Sequence, residues 1–319
     1  MSKTRLVTII CTCISAITLT GLVIWFLVAQ PWGGSFGFNF LMGTTENLTG
    51  AFRPVESQTI DADGINSIFI DWTAGEVRLT PHYGNEISVT EFAQRELNEN
   101  ELMYITVSDG ELHISFTRRT VMRMPPKQLE VLIPADLSLN LHSLDVETVS
   151  GRVVMSDISA SNMRVRSVSG ALDISNAAAQ SLRASSVSGR ISLSDVTGDG
   201  VNLSSTSGSL ELRNVNAGLL DTGSVSGTQE LSGAFVRVDS TGTSGRVSIQ
   251  SSIVPEFLNI STISGRVEIT VPNDGNRISV SHSSVSGRFS SELPVLMHGT
   301  DAQFRISTTS GNINIYELR

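Results

Sequence analysis

Thiols are scarce in this chain of 319 residues: its two cysteines, Cys11 and Cys13, both sit inside one apolar N-terminal run. Everything beyond that run lacks a thiol, which excludes disulfide staples and thiolate metal sites there. Lysine is equally scarce. Lys3 and Lys127 are the only two, and arginine supplies the other cations. The net charge is −9 and no basic run exists. Nucleic-acid binding needs clustered cations to neutralise phosphates, so no nucleic-acid partner is expected. Charged residues make up 17% of the chain, against the usual quarter, while Ser and Gly abound. Low charge with much Ser, Thr, Val and Ile suits strands better than helices.

Signatures of chemistry are also missing. There is no G-x-S-x-G, no P-loop and no H-E-x-x-H. The five histidines, His82, His113, His142, His282 and His298, neither pair closely nor recur at a fixed spacing. No catalytic residue, cofactor or metal ligand is expected, and the chain reads as a non-enzyme. A polysaccharide-active enzyme on a β-helix is the third reading. It needs a carboxylate cluster and aromatics that stack sugars, and after residue 140 Tyr316 is the only Tyr or Trp.

From Leu6 to Ala29 there is no charged residue, and most positions are apolar. As a helix, 24 residues at about 1.5 Å each cover roughly 36 Å, enough for a hydrocarbon core of about 30 Å. Lys3 and Arg5 precede the run, and the next cation is Arg53. The positive-inside rule then puts residues 1–5 in the cytoplasm and the chain after residue 29 outside the cell. A cleaved signal peptide is the rival. The run is long for that, and Val28-Ala29-Gln30 is a poor small-x-small cleavage site. The sequence therefore predicts a single-pass anchor at 6–29 in the cell membrane, then a Gly- and Phe-rich linker at 30–52.

The informative signal lies further on. Ser-Gly pairs end at Gly151, Gly170, Gly189, Gly208, Gly227, Gly245, Gly265, Gly287 and Gly311, in steps of 19, 19, 19, 19, 18, 20, 22 and 24 residues. A period of this length marks a solenoid. Two residues after each Gly stand Val153, Leu172, Ile191, Leu210, Gln229, Val247, Val267, Phe289 and Ile313. Two before it stand Val149, Val168, Val187, Thr206, Val225, Thr243, Ile263, Val285 and Thr309. Period-2 alternation around the Gly places both columns inward, together with the Gly itself. A second strand precedes each motif, as in Met163/Val165 and Leu182/Ala184. Ile158, Val196 and Val215 suggest a third side.

One coil buries about five side chains at roughly 1.5–3 kcal/mol each, against about 1–2 kcal/mol of backbone entropy for every residue ordered. No coil can fold alone, and neighbours must share core and hydrogen bonds. The expected fold is all-β: a β-solenoid of about nine coils over 141–319, with an irregular β-rich cap or early coils over 53–140. Within the latter, Asp71 to Leu79 looks like a degenerate coil centred on Gly75. The last two intervals, 22 and 24, suggest loops. Asp157, Asn176, Asp195 and Asn214 recur at one turn and read as turn chemistry.

The repeated Val-Ser-Gly-Arg-Val/Ile, the strand Leu129-Glu130-Val131-Leu132-Ile133-Pro134 and the single N-terminal anchor resemble the bacterial putative-adhesin family of β-strand repeats. The resemblance covers about residues 55–319. It implies a surface-exposed β-repeat domain of unestablished biochemistry, with no catalytic residues to transfer. Some members sit beside envelope-stress regulators, so a sensory or accessory role in the envelope is the second functional reading.

On the outer surface, arginine and acidic coils alternate at first, as Arg152, Asp173, Arg190 and Glu211, which keeps a stack soluble and in register. Arg246, Arg266 and Arg288 then follow on successive repeats without alternation. They are the candidate cationic strip for an anionic envelope polymer. Other surface or membrane proteins are the alternative partners.

Overall fold

The computed structural model describes residues 51–117, 125–275, 278–296 and 302–318. They form a β-solenoid whose coils stack through parallel strands on two main sides. On one side Ser67–Trp72, Leu141–Thr148 and Ser159–Ser167 lie side by side in parallel, and the later halves of Leu172–Ser186, Ile191–Ser205, Leu210–Ser224 and Gln229–Ser244 continue the ladder. On the other, Val77–His82, Val153–Ser156 and the first halves of those long strands pair in the same sense. A short third side carries Ile158, Ala177, Val196 and Val215, all buried. The predicted anchor at 6–29, with the segments before and after it, lies outside the described residues. Among the described residues no helix is long and apolar enough to cross a membrane.

Inside the coils the alternation works as the sequence suggests on both main sides. Leu172, Ile174, Leu182 and Ala184 are buried, as are Ile191, Leu193, Val201 and Leu203 one coil on. The column two residues before each glycine is a correction. Val168 is 37% exposed and Val285 69%. The chain is not extended there: it turns a corner, and the inward residue is the one three before the glycine. The Ser167 Oγ accepts the Gly170 N–H at 2.7 Å, and Ser186, Ser205 and Ser224 do the same for Gly189, Gly208 and Gly227 at 2.8 Å. A hydroxyl that captures a backbone donor locally makes a turn and ends the alternation.

The glycine's role also differs from the expectation. Its missing side chain would not point into the core. A Cβ on Gly189 would lie 1.9 Å from the carbonyl oxygen of Gly170, and one on Gly208 1.9 Å from that of Gly189. The glycines therefore touch along the stacking axis, backbone on backbone, and the strand spacing of about 4.8 Å leaves no room for a methyl. At the next corner Asp157, Asn176, Asp195 and Asn214 all take positive φ, 60°, 50°, 55° and 53°. Asn and Asp tolerate that left-handed state better than other side-chain residues do.

The spatial order of coils departs from chain order at both ends. Following each glycine to the carbonyl its Cβ would strike, the stack runs Lys127, Gly75, Gly151 and on by period to Gly265, then Gly311 and finally Gly287. The strands Ala302–Ser310 and Ile313–Glu317 thus insert between the Gly265 coil and the segment 278–291 that precedes them in sequence. At the other end Ser67–Trp72 and Val77–His82 lie inside Glu111–Ser115 and Gln128–Pro134. Each end of the solenoid is a coil tucked behind a chain-internal segment. The long intervals seen in the sequence are the crossovers this needs.

Antiparallel strands close the N-terminal end. Glu86–Ala93 pairs with Gln128–Pro134, Arg53–Asp61 pairs with Glu86–Ala93, and Tyr104–Ser108 pairs with Glu111–Ser115. Beneath them lies a buried ion pair that sequence reasoning missed. Lys127, fully buried, pairs with buried Glu91, and its Nζ donates to the carbonyls of Glu101 (2.6 Å) and Phe116 (2.5 Å). The ammonium lies 4.1 Å from the Phe116 ring centroid and 5.1 Å from that of Trp72. Trp72 Nε1 donates to the Lys127 carbonyl at 2.9 Å. Burial pushes the lysine's pKa down and the glutamate's up, while their contact pulls each back. The Arg95 guanidinium and the Asn98 N–H hold the adjoining Glu101 down to about 2.

Two expectations follow. Gly189→Ala lowers the melting temperature sharply, by the equivalent of about 3 kcal/mol or more, because neither coil can move without breaking its ladder. Gly200→Ala changes stability by less than about 1 kcal/mol, because the nearest atom to its Cβ is 3.9 Å away. Thermal melts of the two variants make the comparison. Lys127→Met leaves Glu91 buried and unpaired and costs about 3–5 kcal/mol. In chemical denaturation the double variant Lys127→Met/Glu91→Leu recovers most of that loss.

Candidate functional site

The surfaces available to a partner are the outward columns of the two main sides. They are ladders: each position is flanked by its equivalent one coil above and below. Near the N-terminal end the ladders are charge-paired. Arg152 Nε donates to Asp173 Oδ2 at 2.7 Å, and Arg190 lies 3.8 Å from the same carboxylate. On the other side Arg164 Nη1 reaches Asp145 Oδ2 at 3.3 Å, and Arg166 joins Asp145 to Glu147. Burial holds Asp71, Asp145 and Glu147 above the ordinary carboxylate range, and the arginines draw the latter two back. Alternating charge between coils is thus used for cross-coil pairing.

Further along, asparagine replaces arginine. Asn202 donates to Asp221 and Asn259 to Asp239, each at 2.7 Å, and at the left-handed corner Asn214 donates to Asp195 at 2.6 Å. Burial, reinforced by neighbouring Asp239, raises Asp221. These amide–carboxylate ladders cap one another, as expected of turn and register chemistry. Among the described residues no group of three or more His, Cys, Asp or Glu side chains stands close enough to hold a metal ion.

Arg246, Arg266 and Arg288 are all exposed. The structure brings the first two together, since Val247–Ser251 pairs directly with Val267–Val271. Arg288 is set apart, because the Ile313–Glu317 strand lies between Val267–Val271 and Phe289–Ser291 and puts Asn312 on the intervening rung. Arg266 lies 3.5 Å from Glu268 on its own coil. The compact cationic element is therefore a pair, Arg246 and Arg266, with Arg288 two rungs beyond Arg266. On the third side, Leu139, Ser161, Ala178, Gln180 and Asp199 line a shallow, open depression of about 380 Å3.

The profile of the Toastrack DUF4097 family matches residues 65–316. The chain belongs to the Toastrack family. Among solved structures, a putative adhesin from Parabacteroides distasonis superposes with a TM-score of 0.51 at 13% identity, covering 83% of this chain and 98% of that one. A putative lipid binding protein from the same organism gives 0.52 at 16% identity, with the same coverage. A putative adhesin from Bacteroides fragilis aligns at 15% identity over 82% of this chain and 96% of its own, with a TM-score of 0.46. At these identities the likeness is one of fold. No curated protein matches. The putative-adhesin family expected from the Ser-Gly repeat is therefore the family found, and its β-repeat domain spans most of the chain.

Proposed function

We propose that this Toastrack chain is a non-enzymatic surface-binding module, held at the membrane by residues 6–29 and displaying its solenoid outside the cell. The observation that carries the reading is the make-up of the outer faces. They are long, regular ladders of small polar and self-paired charged side chains, the surface expected of a rod that contacts an extended partner along its length. The names of the Toastrack's structural neighbours, adhesin and lipid binding protein, support a binding role. The partner we favour is an anionic envelope polymer. Phosphates spaced along a flexible chain can bridge Arg246 and Arg266 on adjacent rungs and reach Arg288 two rungs further on. Exposed ion contacts are worth about 0.2–1 kcal/mol each, so such binding is weak per site and relies on repetition along the polymer.

The test is calorimetric titration of the full-length chain in detergent with soluble poly(glycerol phosphate) at low salt. Binding is expected, without turnover of the polymer, and it weakens as salt rises. Arg246→Gln/Arg266→Gln is expected to lower the affinity about three- to ten-fold while leaving the melting temperature unchanged. No binding by the wild type, or equal binding by the double variant, contradicts the assignment.

A further inference from the structure

Lys127 and Glu91 meet where both side chains are fully buried, and the Trp72 and Phe116 rings stand beside the lysine nitrogen. The way they meet is unusual. Lys127 Nζ lies against Glu91 Oε1, yet Oε1 is a buried oxygen that makes no hydrogen bond. The hydrogen bonds of Nζ go elsewhere, to the carbonyls of Glu101 at 2.6 Å and Phe116 at 2.5 Å. The other carboxylate oxygen, Oε2, accepts the Met103 N–H at 3.1 Å.

A buried polar atom without a hydrogen bond calls for an explanation. An ammonium has three N–H donors and would give the third to Oε1. A neutral amine has two. The carbonyls take both, and the lone pair then faces the Glu91 carboxyl. Moving one proton from Nζ to the carboxyl turns the ion pair into this neutral pair without changing the net charge. Burial favours the move, because it disfavours the charged form of each group.

We propose that Lys127 and Glu91 form a self-modification site, in which the amine and the carboxylic acid condense into an intramolecular amide. The Nζ lone pair forms the N–C bond at Glu91 Cδ. The carbonyl electron pair moves onto Oε2, where the Met103 N–H supports the developing negative charge. Oε1 carries the acid proton and receives a second one from Nζ, with which it is in contact. It leaves as water while the Oε2 electron pair restores the C=O bond. One N–C bond forms and one C–O bond breaks, and neither an oxidant nor a cofactor enters.

The fold supplies what this condensation lacks in free solution. It excludes water, and it holds the two groups in contact. Groups held in this way react as though at effective concentrations on the order of 10⁵–10⁸ M. The amide ties Glu86–Ala93, on which the outermost strand Arg53–Asp61 rests, to the residue that enters Gln128–Pro134. It closes the stretch from Glu91 to Lys127 into a covalent loop across the N-terminal end of the solenoid. Chain that has not yet closed the bond is the reference for the Lys127→Met comparison above.

Intact mass spectrometry of the denatured full-length chain tests this. The wild type is expected to be one water lighter than its sequence, and proteolysis is expected to yield a branched peptide joining Glu91 to Lys127. Lys127→Arg keeps a cation and cannot form the amide, so it is expected to retain the full mass. If Lys127→Arg fails to fold, the branched peptide of the wild type decides alone. A wild type that stays at full mass after prolonged incubation at neutral pH overturns the proposal. So does a lost water that maps to any other pair of residues, or one that is also lost from Lys127→Arg.

Discussion

The structure depends on a contact between backbones. At each corner a glycine rests against the carbonyl of the glycine one coil away, closely enough that a Cβ on Gly170, Gly189, Gly208 or Gly227 would overlap it at 1.7–1.9 Å. That approach sets the axial spacing, and the spacing in turn permits the parallel ladders and the continuous column of Leu, Ile and Val behind them. A coil of 19 residues has too little apolar surface to offset its own ordering. Its stability comes from neighbours on both sides, so stability is spread along the stack in nearest-neighbour increments. The serine or threonine three residues before the glycine contributes locally in the central coils. By taking the glycine N–H it bends the chain into the corner and lets the next strand begin in register.

A stack of this kind is weakest at its ends, and the chain treats them in two ways. At both ends the solenoid coil nearer the chain end lies inside one that is farther from it in sequence, 67–82 inside 111–134 and 302–317 inside 278–291, so the last coil along the chain, ending at Glu317, is paired on both sides. Beyond that the ends diverge. The N-terminal one is sealed by antiparallel strands over Lys127, whose ammonium is held inside the protein by the Glu91 carboxylate, two backbone carbonyls and two aromatic rings. At the other end His282 stacks on Phe289, and Ile278 and Leu293 are buried beside them.

Much of this architecture is readable in the sequence, because a solenoid writes its geometry as a period. The inward column two residues after each glycine, the strand before the motif and the Asp/Asn corner all follow from spacing alone. Spacing is silent on which coil neighbours which. The Gly287 and Gly311 repeats look consecutive in the chain, yet they stack in the reverse order, since both carry the same motif and either fits against Gly265. That is why Arg288 reads as the next rung after Arg266 although Asn312 lies between them. The valines before each glycine mislead for a different reason: alternation does not carry across a corner where the backbone turns. Lys127 gives only a compositional hint, as the single lysine beyond the N-terminus, because its partners Glu91, Glu101 and Phe116 are remote in sequence.

Surface, ends and core follow one rule: coils are covered by whichever segment fits above them, whatever its place in the chain. Ser261, Ser307 and Ser283 occupy one outward column, and Ser307 lies between the other two, with 3.2 Å separating its Oγ from that of Ser261. Paired cysteines at these positions, in a chain whose Cys11 and Cys13 are changed to serine, read the order directly by oxidation and peptide mapping. Adjacent parallel strands place Cα atoms within disulfide range, and strands two rungs apart do not. Ser261→Cys/Ser307→Cys is expected to form an intramolecular disulfide in high yield, and Ser261→Cys/Ser283→Cys to remain reduced. The opposite pattern would show the coils stacking in chain order and would contradict the account.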